Sequence, residues 1–256
     1  MPFTLSHAAA VLPFRRTRLL WSALIIGSFG PDFEYFLRIS YVSRAWHHYP
    51  DVVLYCLPFT LVVFFLFQLL IKRPAIGLLP LSFQRRLAPP SAQLPRTFHE
   101  ASTLLASLVV GIGTHLVWDS FTHSHTWPYR HIAALRQPMV DHLYGYAALQ
   151  FLSSVAGLVI LGISITCWYR ETPAKQTAVS RISAPIKFSI ACGIAGSALA
   201  GGAWRSYSVL GLPHTRLAGS WFQVLFVIST VAWFLWELLA YGLVMTLWGK
   251  TKGAHR

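Results

Sequence analysis

The stretch Val52–Ile71, VVLYCLPFTLVVFFLFQLLI, decides the fold class of this chain. It contains no Lys, Arg, Asp or Glu. Crossing the hydrocarbon core of a bilayer, about 30 Å thick, takes roughly 20 consecutive apolar residues in a helix. The stretch therefore predicts a membrane-spanning helix.

Four further stretches approach or exceed this length, and together they predict a polytopic bundle. They are Ala101–Phe121, Tyr146–Trp168, Phe188–Trp204 and Trp221–Trp248. A shorter apolar run, Leu19–Phe29, is followed by Gly30-Pro31-Asp32, where the proline breaks the helix and a carboxylate enters. We predict an all-α transmembrane bundle of five strong spans within a single integral membrane domain, residues 1–256.

The composition supports this class and argues against a soluble protein. Of 256 residues, 55% are hydrophobic and only 11% are charged, whereas soluble domains carry about 25% charged residues. The net charge of +13 comes from basic residues that cluster between the apolar runs. Such clusters indicate membrane topology and contact with anionic lipids, so we expect membrane lipids and no nucleic acid as partners.

The loops differ in their number of basic residues, and this difference predicts the side of the membrane that each loop faces. Residues 72–100 contain five Lys and Arg residues and are rich in proline, whereas residues 123–145 contain two Arg residues. By the positive-inside rule, residues 72–100 form a cytoplasmic connector. Residues 38–51 and 123–145 then lie outside, and the C-terminus lies inside.

Two arrangements are open for residues 3–31. Three arginines before Leu19 favour a single span with a cytoplasmic tail. The apolar run reaches only about 15 Å as a helix, which favours a re-entrant hairpin that turns at Arg15–Arg18. The same pattern also matches a signal peptide, but no small-residue cleavage site follows it.

One stripe of ionisable residues lies at the outer end of the second strong span, in GTHLVWDSFTHSH (113–125). His115, Asp119 and His123 recur at i, i+4 and i+8, which places them on one face of a helix. Imidazole and carboxylate are ligands for zinc and similar divalent metals. The same groups also serve as helix-packing partners, so the stripe alone leaves both interpretations open.

Other ionisable residues are weaker candidates. Asp32 lies in apolar surroundings, where a carboxylate needs a cation or a hydrogen-bond donor. Glu237 lies in the middle of the last span and fits either a proton relay or helix packing. Several histidines at irregular spacing in outer loops rank second as ligands: His47, His48, His125, His131 and His142.

Three segments together resemble a known bacterial membrane family, DUF4184, a domain of unknown function. They are MPFTLSHAA (1–9), GSFGPDFEY (27–35) and THLVWDSFTH (114–123), of which the third is the most specific. The resemblance covers essentially the whole chain. More distantly, the plan is similar to inner-membrane proteins described as metal-dependent hydrolases. His115-x-x-x-Asp119 faintly resembles zinc-dependent phospholipase C, although those enzymes are soluble and use more His and Asp ligands.

The resemblance implies a multi-pass protein of the bacterial cytoplasmic (inner) membrane and groups His7 with Asp32, which favours the hairpin. The expected metal ligands are His7, Asp32, His115, Asp119 and His123. We expect a divalent metal, with zinc as the hypothesis, near the extracytoplasmic surface. The corresponding function is hydrolysis of a lipid or another phosphoester, with no catalytic residue assigned. The alternative is a non-catalytic transporter or assembly factor whose His and Asp residues pack helices or line a path.

Overall fold

A computed structural model of the protein describes residues 3–40, 47, 50–87, 92–140, 143–175, 180 and 182–253, without the side chains of residues 140, 216 and 249–253. About four in five of these residues are helical. Within the described ranges, strand is confined to one antiparallel pair, β1 (Pro138–Val140) and β2 (Leu143–Tyr144). The predicted all-α class is therefore confirmed.

Five helices in the described part of the chain are long and apolar enough to cross a membrane. They are Val52–Leu78, Phe98–His131, Gly145–Glu171, Ala184–Leu210 and Leu217–Trp248. Each contains one of the five stretches that the sequence predicted as strong spans. The protein is accordingly a multi-pass membrane protein.

The burial of these helices agrees with a lipid environment. Only 6% of the most apolar window in Gly145–Glu171 is buried inside the protein. Large side chains such as Phe151, Leu152 and Ile163 are more than half exposed. Exposed apolar surface of this extent is normal where lipid covers a helix and rare on a soluble protein.

The N-terminal residues form a helical hairpin. A 3-10 helix, Thr4–Arg16, is followed by a turn and by α1 (Trp21–Phe29). The turn begins at Thr17, whose hydroxyl and backbone N–H both donate to the Phe14 carbonyl. A short 3-10 turn, Gly30–Asp32, then leads into α2 (Phe33–Arg38). Of the two arrangements that the sequence left open, the structure adopts the hairpin, while its depth in the bilayer stays a prediction.

The first span is one continuous helix with two wider, π-helical segments. The π-helical segment Val52–Cys56 precedes α3 (Leu57–Leu66), and the second π-helical segment, Phe67–Ile71, follows it. The helix continues as α4 (Lys72–Leu78), beyond the predicted end at Ile71. It thus enters the predicted connector, residues 72–100, which also contains α5 (Leu81–Gln84) and, in part, residues outside the described ranges.

The second span begins with a well-formed cap and carries the predicted stripe. This helix, α6 (Phe98–Thr122), starts after Thr97, whose side chain accepts a hydrogen bond from the Glu100 backbone N–H while the Glu100 carboxylate accepts from the Thr97 N–H. Such a reciprocal cap satisfies N–H groups that the first turn leaves unpaired. The remaining helices follow in chain order: α7 (Trp127–His131), α8 (Ala133–Arg136), α9 (Gly145–Glu171), α10 (Ala184–Leu210) and α11 (Arg216–Gly253).

Two glycines bring α1 and α6 into backbone contact. A Cβ atom added at Gly27 would lie 2.6 Å from the Leu108 carbonyl oxygen. One added at Gly111 would lie 2.8 Å from the Ser28 nitrogen and 2.9 Å from the Gly27 Cα. Only glycine leaves room for backbones at this separation, as in close helix pairs of other membrane proteins. The contact fixes the end of α1 against α6.

The chain divides into two compact units. The first comprises Met1–Phe33, Ala45–Phe64 and Pro95–Glu171, and the second comprises Glu34–Arg44, Phe65–Leu94 and Thr172–Arg256. In the second unit, α10 and α11 pack closely, because a Cβ at Gly202 would meet the Thr230 hydroxyl. The expectation of one membrane domain over residues 1–256 stays a prediction.

The side of each loop is open to a direct test. We expect residues 72–100 to face the cytoplasm and residues 123–145 the opposite side, because of the difference in basic residues. Single cysteines at Ala92 and Ser124, in a background without the native cysteines, should label differently in spheroplasts. A membrane-impermeant maleimide should modify position 124 and spare position 92 until the membrane is lysed. Labelling of position 92 in intact spheroplasts would refute the predicted topology.

Candidate metal centre

Four of the sequence candidates meet in the first unit, although they come from three separate segments. His7 lies on the N-terminal 3-10 helix, Asp32 ends the 3-10 turn after α1, and His115 and Asp119 lie one turn apart on α6. Their side chains are almost completely buried, with between 0% and 8% exposed. Ionisable groups at such depth are costly unless each one finds a partner.

The donor atoms of these residues face one another across short distances. Asp119 Oδ2 lies 3.3 Å from His115 Nε2, and Asp119 Oδ1 lies 3.4 Å from His7 Nε2. Asp32 Oδ1 lies 3.7 Å from His115 Nε2. The atoms of His7, Asp32 and His115 all lie within 4.8 Å of one another. The sequence candidates thus form one compact cluster.

Most of these nitrogen and oxygen atoms, which could bind a metal, have no hydrogen-bond partner. Both ring nitrogens of His7, Nε2 of His115 and both carboxylate oxygens of Asp119 are buried and unpaired. Leaving one buried polar atom unpaired costs about 1–3 kcal/mol, and more when the group is charged. Four of these atoms, all except His7 Nδ1, lie in the short contacts of the cluster, which is a strong sign that a further group belongs there.

The distances fit a shared metal ion better than direct hydrogen bonds. An N–H···O hydrogen bond is about 2.9–3.0 Å long, so separations of 3.3–3.9 Å are too long for strong ones. Ligands held about 2.1 Å from a tetrahedral zinc ion lie about 3.4 Å from one another. Buried His and Asp residues at these separations could hold a metal ion.

Two further hydrogen bonds orient the ligand groups. His115 Nδ1 donates to the Ser28 carbonyl oxygen at 2.7 Å, which leaves the lone pair of a neutral ring on Nε2, facing the cluster. The Thr4 hydroxyl donates to Asp32 Oδ2 at 2.6 Å, so Oδ1 is the oxygen that faces His115. Partners of this kind fix the tautomer and the direction of metal ligands in known sites.

His7 is held by ring contacts rather than by hydrogen bonds. Its ring stacks on that of His115 with centroids 3.9 Å apart and meets the indole of Trp118 edge-on at 5.5 Å. Burial, assisted by the neighbouring His115, lowers the pKa of His7 to about 3, so the ring is neutral and keeps a lone pair. Burial also raises the pKa of Asp32 to about 6. A nearby cation would favour the ionised carboxylate.

His47 joins the cluster, which the sequence ranked only among the second-tier histidines. Its Nε2 lies 3.7 Å from Asp119 Oδ2 and 3.9 Å from Asp32 Oδ1. With His115 and Asp119 it forms a second triad of donor atoms within 4.8 Å. One sequence signal could have found His47. The predicted topology places residues 38–51 on the outer side of the membrane, the same side as Asp32. No helical spacing could identify it, since it lies outside any helix.

His123 takes a different position from the one that the stripe predicted. Its Nδ1 donates to the backbone carbonyl of Asp119 at 3.0 Å and lies 3.8 Å from Asp119 Oδ2. The side chain is 35% exposed. Neither triad of donor atoms found among the described residues includes it. His123 therefore lies at the rim of the cluster, and its role as a ligand stays a prediction.

The remaining candidates lie elsewhere. His131 stacks on Trp127, and the ring of His125 lies 6.1 Å from that of Tyr129. His48 and His142 lie outside the described residues. Glu237 belongs to α11 in the second unit, and its Oε2 is buried without a hydrogen-bond partner.

The chain belongs to the family described as a domain of unknown function (DUF4184), whose model matches residues 1–243. The match includes all three segments that carried the resemblance in the sequence. No curated protein and no solved structure matches the chain. The description of the family names no activity, so the chemistry of the site must be argued from its geometry.

Proposed function

We propose that this protein is a membrane-embedded, metal-dependent hydrolase that acts on a phosphoester or ester group of a lipid. The observation that carries the proposal is the convergence of buried, unpaired donor atoms from His7, His115 and Asp119 on one point. Asp32 and His47 contribute further atoms to the same point. Two carboxylates and up to three imidazoles match the ligand types of catalytic zinc sites.

A divalent ion bound here would polarise a phosphoryl or acyl oxygen and lower the pKa of a water molecule. The protein's own groups explain how the ion would be held. Asp32 and Asp119 supply negative charge, and the hydrogen bond from His115 to Ser28 directs Nε2 towards the centre. His47 is the most exposed of the five, with 18% of its side chain accessible, so substrate would approach on that side.

The position of the cluster supports a lipid as the substrate. His115 and Asp119 lie near the end of α6, which is part of a helix long and apolar enough to cross a membrane. A site near the end of a span lies close to the level of the lipid headgroups, where a lipid can present its ester or phosphoester group. By the positive-inside rule, this end of α6 faces the extracytoplasmic side, which would make the outer leaflet the source.

A non-catalytic function has one observation in its favour. His7 and His115 are 0% exposed, which also suits an ion that only fastens the N-terminal hairpin to α6. Structural metal sites are closed in this way, whereas catalytic sites keep an open position. Both functions require bound metal, but only the hydrolase requires turnover.

Metal removal separates these two functions. We expect the purified protein in nanodiscs to hydrolyse bis-p-nitrophenyl phosphate or vesicles of phosphatidylglycerol and phosphatidylcholine. Chelation should reduce the rate to that of protein-free nanodiscs, and added zinc or manganese should restore it. A protein that contains metal but releases no product from either substrate would favour the structural function. A rate above that of protein-free nanodiscs that chelation leaves unchanged would contradict a metal-dependent hydrolase.

A further inference from the structure

A groove of about 470 Å³ runs along α6 beside the metal centre. Its volume lies in the range of known ligand pockets, roughly 300–1,000 Å³. The side chains that line it belong to the N-terminal 3-10 helix and to α6, both in the first unit: Ala10, Phe14, Val110, Gly113, Thr114, Val117 and Trp118. None of these residues is charged.

The α6 side of the groove is a regular apolar stripe. Residues 110, 113, 114, 117 and 118 recur at i, i+3, i+4, i+7 and i+8, which is one face of a helix. The two polar groups of the stripe have partners elsewhere. The Thr114 hydroxyl donates to the Gly111 carbonyl at 2.7 Å, and Trp118 Nε1 donates to Ser153 Oγ at 3.1 Å. The groove therefore presents hydrocarbon along its length.

One end of the groove reaches the metal centre. Trp118 lines the groove and also meets the His7 ring edge-on, with centroids 5.5 Å apart. It directly precedes Asp119 in the chain. From Val110 to Trp118 the groove follows α6 for about 12 Å. A molecule lying in it would thus have its end beside His7 and Asp119.

The surroundings identify the kind of molecule that fits. The helix that contains α6 is membrane-spanning, so hydrocarbon chains rather than water cover its exposed face. Gly113 forms an open position in the middle of the groove, because no atom lies within 4 Å of an added Cβ. We propose that the groove binds one acyl chain of the lipid substrate and so directs the ester or phosphoester group to the metal centre. This inference rests on the proposed function and specifies its substrate class.

A substitution at Gly113 tests the groove without touching a candidate ligand. Leucine at this position would fill the groove and displace nothing, because the site is open. Gly162→Leu is a matched control, since Gly162 also lies on a span and also has no atom within 4 Å of an added Cβ. The probe is a phosphatidylcholine with a photoactivatable diazirine on its acyl chain, in phosphatidylglycerol–phosphatidylcholine nanodiscs that hold the full-length protein.

We expect the probe to label the α6 peptide around Val110–Trp118 in the wild type. Gly113→Leu should reduce this labelling about threefold or more, because the leucine side chain occupies the space in which the acyl chain would pack. The loss is one of packing contacts, since the chain comes from hydrocarbon rather than from water. Gly162→Leu should leave it unchanged. Equal labelling of α6 in all three proteins would show annular lipid only and would overturn the proposal. So would labelling of α6 no stronger than that of the lipid-facing surface of α9.

The result is independent of whether the protein is a hydrolase, because labelling needs neither metal nor turnover. Labelling that depends on Gly113 but occurs without hydrolysis would support the acyl-chain site and reject the proposed reaction. Hydrolysis of lipid that Gly113→Leu leaves unchanged, together with unchanged labelling, would support the reaction and reject the groove. In an active protein, Gly113→Leu should slow lipid hydrolysis more than it slows hydrolysis of bis-p-nitrophenyl phosphate, which has no acyl chain.

Discussion

Asp119→Asn is expected to remove the bound metal while the protein remains inserted and helical. The substitution preserves the size of the side chain and removes the negative charge of Asp119 from the cluster. Its Oδ2 lies 3.3 Å from His115 Nε2, and its Oδ1 lies 3.4 Å from His7 Nε2. Loss of a group that only orients a ligand weakens metal binding about 10–100-fold, so loss of a ligand should cost at least about 100-fold. Elemental analysis of the purified protein measures the effect.

Glu171→Gln is the matched control, because it makes the same change of carboxylate to amide at an exposed position at the end of α9. It should retain the metal content of the wild type. Circular dichroism and size-exclusion chromatography establish that both variants are folded. Equal metal in Asp119→Asn and the wild type, or no metal in either, would reject the metal centre and the proposed hydrolase with it.

Gly111→Val is expected to disrupt the site from a position that is not itself a ligand. The new Cβ would lie 2.8 Å from the Ser28 nitrogen and 2.9 Å from the Gly27 Cα, both backbone atoms that cannot rotate away. Overpacking of this kind costs about 1–3 kcal/mol in the free energy of unfolding. Displacement of α1 would also break the 2.7 Å hydrogen bond between His115 and the Ser28 carbonyl. The midpoint temperature of thermal unfolding in detergent and the metal content should both fall.

Gly113→Val provides the comparison, two residues further along the same helix. No atom lies within 4 Å of a Cβ added there, so stability and metal content should match the wild type. If both variants lose stability alike, an effect of valine common to the two positions rather than the α1–α6 contact would explain the loss, and the structural role of Gly111 would be wrong.

Some features of the site follow from local sequence. The five spans follow from length and hydropathy, because a bilayer accepts only helices in which every backbone group is paired internally. His115 and Asp119 share a face because the helical period places residues i and i+4 together. The same period also put His123 on the stripe, but α6 ends at Thr122. Beyond that point the spacing no longer fixes where a side chain lies, and His123 bonds back to the Asp119 carbonyl.

The sequence by itself determined the membrane class, the spans and the pair of ligands within α6, since each depends on residues within a few helical turns. Tertiary structure decided that His7, Asp32 and His47 meet this pair. The hydrogen bond from His115 to Ser28 joins residues 87 positions apart and exists because Gly27 and Gly111 let two backbones touch. Contacts between residues so far apart in the chain depend on how the helices pack against one another, and helical periodicity predicts only contacts within one helix.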